Sequence, residues 1–587
     1  MTALPLSTDA APPFEGAARA HGRRGLVPSV AMALVLGYLV VVPLVLMVVS
    51  SIRPGGFPLD PGLTLRHYAA AYGDPRFWGL VETTLLFGLG STAFALVLGI
   101  GLAWLIERSD LPGRGMLRGL VLLPMATPPL LLAIAWAMLL SPRNGAINVL
   151  LMQTLGLGAA PFNIYTLPGL IFVQGLALVP TAYLFLAPAF ANMDPSLEEA
   201  AMTSGAGNWM LIRRVLLPIL RPAILSAAVF LLIVTLVVFD IPGTLGTPGR
   251  IFVLSTRIYY LVSDSPTGMP LYGQVSALAM LFLVLLLGLG WSYHHLTRAA
   301  QRYRTVTGKG FRPRPFPLGR GRSVAFAALG LYFLLSVVAP LVMLGWTSLM
   351  PYQTGITAAA LKLVTFANHR DFLGNARVIA ATEHSLIIAV TAATAVAVLS
   401  LLLSWLTMRL KVPGTQLLDA LAFIPLAIPG VMIGVALVYV YIALNPILPI
   451  YGSIWIIAVA YLTQYLPFGS RTTNGVMVQI HPEIEEAALT SGAGRGRILR
   501  RITLPLVWPA VAAVWIWVAA HALRELSSAL MLQGRDNGVI PTLLWDYWSG
   551  GDPTRTAAGG LWLTVALVLF LALWQAVARR AGLQRPS

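Results

Sequence analysis

Apolar residues in this chain come in long blocks and not in alternation. Blocks of about 20 mostly apolar residues, long enough to cross a bilayer as a helix, fall at Leu26–Ser50, Thr83–Ile106, Leu117–Leu140, Leu167–Ala191, Pro222–Leu245 and Leu271–Leu296. A second set falls at Val324–Met350, Ser385–Met408, Leu417–Leu444, Ser453–Gly475, Ala510–Leu532 and Ala558–Val577. The pattern predicts an all-α polytopic membrane protein of about twelve transmembrane helices, six in each half. Pro124, Pro128, Pro129, Pro425 and Pro429 predict bends in the third and ninth spans. Residues 1–25 are polar and rich in Ala and Pro, and are expected to be disordered. The apolar run after them is too long for a signal-peptide core and reads as a retained span. The halves are then 26–297 and 324–587, joined by a linker over 298–323 rich in Pro, Gly and Arg.

The two halves repeat each other. WLIERSDLPG at Trp104–Gly113 matches WLTMRLKVPG at Trp405–Gly414, and LLPMATPP at Leu122–Pro129 matches FIPLAIPG at Phe423–Gly430. The strongest match lies in a polar connection. EEAAMTSGAGNWMLIRRVLLPILRP at Glu198–Pro222 aligns without a gap with EEAALTSGAGRGRILRRITLPLVWP at Glu485–Pro509. The offset is 301 residues at the first matches and 287 at the last, so the first half carries about fourteen extra residues near Ser141–Asn163. An even number of spans per half makes this a parallel repeat, with its axis along the membrane normal.

Composition agrees with the pattern: of 587 residues 57% are hydrophobic and 10% charged, against about 25% charged in a soluble domain. A net charge of +17 raises nucleic-acid binding. The basic residues lie in short connections between apolar blocks, however, where the positive-inside rule accounts for them. That rule places both termini, the linker and both duplicated loops on the cytoplasmic side of the membrane. Without cysteine there is no disulfide or thiolate site. No phosphate loop, HExxH helix or GxSxG elbow occurs, so no catalytic residue and no cofactor is assigned to the chain.

Each duplicated loop reads as a short helix with acids in its first turn, where the helix dipole favours them, closed by glycine. The E-A-A…G…L-P pattern resembles the cytoplasmic EAA loop of permease subunits of bacterial ABC importers. Two copies in one chain look like the fused permeases of that family. The resemblance implies two tandem type I importer halves. It also implies that Glu198, Glu199, Ala200, Ala201 and Gly205, and Glu485, Glu486, Ala487, Ala488 and Gly492, contact two copies of a cytoplasmic ATPase subunit. ATP and Mg would bind on that partner, and a periplasmic or lipid-anchored binding protein would deliver the solute.

Ionisable residues within spans cost roughly 2.5–3.5 kcal/mol each at the helix centre and so nominate a pathway. Asp240 in the fifth span and Arg524 and Glu525 in the eleventh are the candidates. The alternative is structural, with one of them paired to Asp240 or to a backbone carbonyl so that it ties the halves together. FDIPGTLG at Phe239–Gly246, RIFVLSTRIYYL at Arg250–Leu261 and HALRELSSALML at His521–Leu532 are similar to the ferric-iron permeases. A hard cation prefers oxygen ligands, which Asp240, Glu525, Tyr259 and Tyr260 could supply, whereas an anion would favour Arg524; no metal site is firmly assigned. Thiamine, phosphonates and other small solutes stay open. So does an ion-coupled secondary transporter with parallel repeats, which explains the spans and leaves the duplicated loops unexplained.

Overall fold

The computed structural model describes residues 27–580 except 194–200, 202, 206, 265–269, 303–315, 411 and 413. Glu198, Glu199 and Ala200, the tail over 1–25 and most of the linker therefore lie outside the described residues. The described chain is helical, with one isolated bridge between Ser109 and Phe316.

The first half contributes α1 (Val27–Ser51), α2 (Phe77–Arg108), α3 in two limbs (Arg114–Ala126 and Pro129–Leu140), α4 (Leu167–Ala191), α5 (Arg213–Val237) and α6 (Tyr272–Tyr293). The second contributes α7 (Gly321–Ser348), α8 (Ala376–Arg409), α9 in two limbs (Thr415–Ala427 and Gly430–Ala443), α10 (Ile454–Met477), α11 (Arg495–Ala522) and α12 (Pro553–Val577). The limbs of α3 and α9 meet at 88° and 113°. Proline causes both bends: Pro128 and Pro429 hold extended backbone between the limbs and cannot donate to the preceding turn. Nine of these helices are long and apolar enough to cross a membrane, eleven with the bent pairs. The twelfth expected span is α10, whose 24 residues reach about 36 Å. It is less apolar because it carries Thr463, Gln464, Arg471, Thr472, Thr473 and Asn474, and it is sheltered between α8 and α11.

Two expected spans end early. α5 stops at Val237 and the chain restarts as a tight turn over Asp240–Gly246. α11 stops at Ala522 and restarts at Ser527–Leu532. Asp240, Arg524 and Glu525 thus stand at helix breaks, where backbone groups are free to bond, and not within continuous helices.

The repeat is visible in the packing. α2 crosses α4 where a Cβ on Gly99 would stand 2.7 Å from the Ala182 Cβ, and α8 crosses α10 where a Cβ on Gly469 would collide with Ser400 Oγ. Gly99 aligns with Ser400 and Ala182 with Gly469, so one crossing is kept while the glycine changes helix. Close approach of this kind is how helices associate in lipid, where dispersion and not water drives packing. Gly469→Leu is expected to force α8 and α10 apart and cost about 1–3 kcal/mol. A thermal melt of the full chain equal to wild type would count against this crossing as a tight contact.

The first helix of each half reaches the other half. α1 packs on α6 and on the far limb of α9, and α7 packs on α12 and on the far limb of α3. Tyr38 donates to Tyr441 Oη at 2.9 Å, and Tyr332 donates to the Val121 carbonyl at 3.2 Å. The extra residues of the first half build a helix over Ala146–Leu155. Its buried Asn148 holds the carbonyls of Leu140, Ser141 and Phe162. The end of the linker is fixed too: the Phe316 amide donates to Arg108 O at 2.7 Å, and Arg322 pairs with Asp110. The hydrogen bond from Arg322 holds the Asp110 carboxyl below its ordinary range.

Candidate functional site

At the end of the bundle carrying the arginine-rich loops, the second duplicated loop forms a helix over Glu483–Thr490. Glu483, Glu485 and Glu486 occupy its first turn. Gly492, at φ 81°, closes it, and the Ala493 amide returns to Ala488 O at 2.9 Å. In the first loop Gly205 also has φ 81°, the backbone state glycine adopts most readily. A π-helical turn then follows in both copies, at Ile212–Leu216 and Leu499–Thr503. The two loops thus share one backbone path wherever both are described.

The helix over Glu483–Thr490 has two faces. Ile484 and Leu489 are 46% and 43% exposed, and Glu486 and Ala487 are exposed beside them. Glu485 turns inward. Its carboxylate lies 3.3 Å from Arg409 Nε at the end of α8 and accepts from Thr503 Oγ1 at 2.8 Å. Arg409 also donates to the carbonyls of Met477 and Ile480, both at 2.8 Å, sealing the end of α10. The contact with Glu485 is an ion pair by distance and not an aligned hydrogen bond. Ala488 is half-buried on the same inner side. Of the five loop residues expected to face outward in this copy, Glu485 is held by the chain's own helices. In the first copy Ala201 is half-buried and Gly205 exposed. Arg108, in register with Arg409, is buried and donates to Met193 O at 3.3 Å. Sequence reading did not single out Arg409, although the match of Trp104–Gly113 with Trp405–Gly414 already aligned it with Arg108.

Deeper in the bundle, the breaks of α5 and α11 meet the bends of α3 and α9. Asp240 is 8% exposed and lies within electrostatic reach of both Arg524 and Glu525. Arg524 donates to the carbonyl of Met125, at the bend of α3 in the other half. It also meets His521 Nε2 at 2.8 Å. His521 Nδ1 faces the Trp517 carbonyl at 2.8 Å and must therefore carry the proton, which leaves Nε2 to accept from Arg524. The imidazole is held between the Trp517 ring, stacked at 3.7 Å, and the guanidinium. Glu525 accepts from Tyr465 Oη at 3.1 Å and from the Ser527 amide at 3.1 Å. Tyr461 donates to the Glu525 carbonyl at 2.9 Å. Gly430, which opens the second limb of α9, lies against the same carboxylate: a Cβ there would meet Glu525 Oε1 at 3.3 Å.

The structure therefore brings Asp240, Arg524 and Glu525 together. Arg524 takes a backbone carbonyl of the opposite half and forms no ion pair with Asp240 among the described residues. Tyr259 and Tyr260 do not join the cluster. Tyr259 packs on Phe239 and Trp545, and Tyr260 meets Thr247 Oγ1 at 2.9 Å. Tyr461 and Tyr465 take their place. Their four-residue spacing on α10 puts both hydroxyls on one helix face, a signal present in the sequence. Glu82 and Glu383, near the starts of α2 and α8, are exposed. Among the described residues no three His, Cys, Asp or Glu side chains converge as a metal site.

Comparison with known proteins finds one family twice along the chain. The profile of binding-protein-dependent transport system inner membrane components matches residues 95–302 and again 397–582. The chain is similar to a ferric transport system permease protein of Actinobacillus pleuropneumoniae, at 24% identity over 82% of this chain and 68% of that protein. It is similar to an Fe(3+)-transport system permease protein of Haemophilus influenzae, at 24% identity over 81% of this chain and 85% of that protein. A trehalose/maltose transport system permease protein of Thermococcus litoralis is 31% identical over 43% of this chain and 90% of its own length. With two matches that together cover most of its length, in a bundle whose halves repeat their crossings and loops, the chain belongs to the family of binding-protein-dependent transport system inner membrane components.

Proposed function

We propose that this chain forms the transmembrane pathway of an ABC importer for ferric iron. One observation carries the choice of solute: two carboxylates, Asp240 and Glu525, stand at matching helix breaks within electrostatic reach of each other, with the hydroxyls of Tyr461 and Tyr465 on Glu525. Oxygen donors of this kind suit a hard cation. Arg524, the group that would favour an anion, is engaged by Met125 and His521. The absence of a third convergent ligand among the described residues fits a passing ion, since conduction needs binding weak enough to release. Relatives named as ferric permeases, aligned over most of the chain, support the same reading.

Two copies of a separate ATPase would sit on the two duplicated loops and drive alternating access between the halves. In the second loop the exposed Ile484, Glu486, Ala487 and Leu489 are the surface they would meet. A periplasmic or lipid-anchored binding protein would deliver iron at the opposite end of the bundle. Both termini are then cytoplasmic, a placement that the arginine distribution supports.

The test is uptake of radiolabelled ferric iron by cells with and without the chain, with unlabelled thiamine and a phosphonate as competitors. Uptake lost on deletion and indifferent to both competitors is the expected result. Uptake unchanged on deletion overturns the iron assignment. Uptake that persists without any ATPase partner would instead favour an ion-coupled carrier.

A further inference from the structure

Beyond the pathway, a cavity of about 530 Å³ opens at the end of the first half opposite the duplicated loops. It lies between the starts of α2 and α6 and the short helix Leu254–Ser263. Its charged and amide lining is Asp74, Arg76, Arg250, Arg257 and Gln274. A second cavity of about 390 Å³, which Asp264 also lines, shares Phe252, Arg257, Leu261 and Gln274 with it, so Arg257 stands between the two. The guanidinium groups of Arg76, Arg250 and Arg257 have no ion-pair or hydrogen-bond partner among the described residues. Asp74 is turned to its own chain, accepting the Arg76 amide at 2.8 Å. Three guanidinium groups against the one carboxylate of Asp74 leave the cavity net positive.

The internal repeat supplies the control. The helices Leu254–Ser263 and Ile540–Ser549 begin with the same pattern of hydrogen bonds. Thr256 and Thr542 accept the amides of Val253 and Val539 at 3.0 and 3.2 Å. Thr84 and Ser385 accept those of Leu254 and Ile540 at 3.0 and 2.9 Å. In that register Arg250 corresponds to Asp536 and Arg257 to Leu543, while Arg76 corresponds to Arg377. The scaffold therefore does not require arginine at 250 or 257. Arg250 also holds φ 55°, the left-handed state found at no other non-glycine position among the described residues. Trp78, 72% exposed at the start of α2, marks the membrane interface beside the cavity.

We propose that this cavity binds a phosphate group, carried either on the headgroup of an anionic lipid or as free phosphate. Guanidinium forks match phosphate oxygens two at a time, and the interfacial position puts headgroup phosphates within reach.

The experiment uses the full chain in phosphatidylcholine nanodiscs. One arm adds phosphatidylglycerol; the other titrates inorganic phosphate against chloride at equal ionic strength. Thermal midpoint is the readout. Wild type is expected to gain stability in one arm, and that arm identifies the source. Arg250→Asp with Arg257→Leu, which installs the second half's residues, should abolish the gain. Arg257→Gln alone should weaken half-saturation about tenfold, the loss of roughly one good charge-assisted contact. Arg377→Asn should behave as wild type. No gain for wild type in either arm, or an equal gain for wild type and both cavity variants, overturns the proposal.

Discussion

Asp240→Asn combined with Glu525→Gln should abolish uptake while the chain still reaches the membrane and stays folded. Each substitution keeps shape: in Glu525→Gln the side-chain oxygen can still accept from the Ser527 amide, and the NH2 group that replaces the second carboxylate oxygen can donate to Tyr465 Oη. Folding is not expected to suffer, because a carboxylate within a span costs about 2.5–3.5 kcal/mol to insert and both charges are removed. What is lost is attraction for a cation where the breaks of α5 and α11 meet the bends of α3 and α9. Every ~1.4 kcal/mol of that attraction is worth tenfold in occupancy, and two carboxylates supply more than one such step. Cellular uptake and membrane abundance, measured side by side, check this. Unchanged uptake in the double variant would make the carboxylates structural, with Arg524 and Glu525 serving only to join the halves.

Arg409→Leu should disable transport from the other end of the bundle. Arg409 and Glu485 have side chains only 8% and 13% exposed, so the pair is largely removed from solvent screening. Breaking such a pair costs about 3–5 kcal/mol, because a buried charge is left alone. Here Arg409→Leu also strands the carbonyls of Met477 and Ile480. The helix over Glu483–Thr490 would lose its tie to α8, and a partner bound on Glu486 and Ala487 could no longer move the bundle through it. Glu485→Gln keeps the bond from Thr503 and should cost less. The double variant should be less damaged than the sum of the two, since each removes one interaction. Thermal melts of all four proteins give the coupling energy, and ATPase co-purification with uptake gives the functional effect. Strict additivity, or Arg409→Leu with normal uptake, would remove the pair from the coupling path.

Several features were legible in the sequence because they are local. Apolar block length gave the spans, prolines at 124–129 and 425–429 gave the bends, and the duplicated loop gave a glycine-closed helix. α10 shows where composition alone falls short. Its polar residues lower its hydropathy, yet neighbouring helices shelter it, and only packing reveals that. The loop acids show the same limit. Glu485 and Glu486 are adjacent and alike in sequence, but a helix turns neighbours about 100° apart. One therefore faces Arg409 and the other is exposed.

The amino-acid order by itself determined a two-half membrane bundle with a repeated polar loop and nominated Asp240, Arg524 and Glu525. Those properties follow from what each segment prefers in lipid or in water, whatever surrounds it. The tertiary structure decided the partners. Arg524 finds Met125 across 399 positions, Tyr38 finds Tyr441 across 403, and Glu525 finds Tyr465 across 60. A hydrogen bond depends on position to a few tenths of an ångström, and chain proximity places nothing at such separations. Only the packing of helices far apart in the sequence, and the breaks within them, brings these groups together.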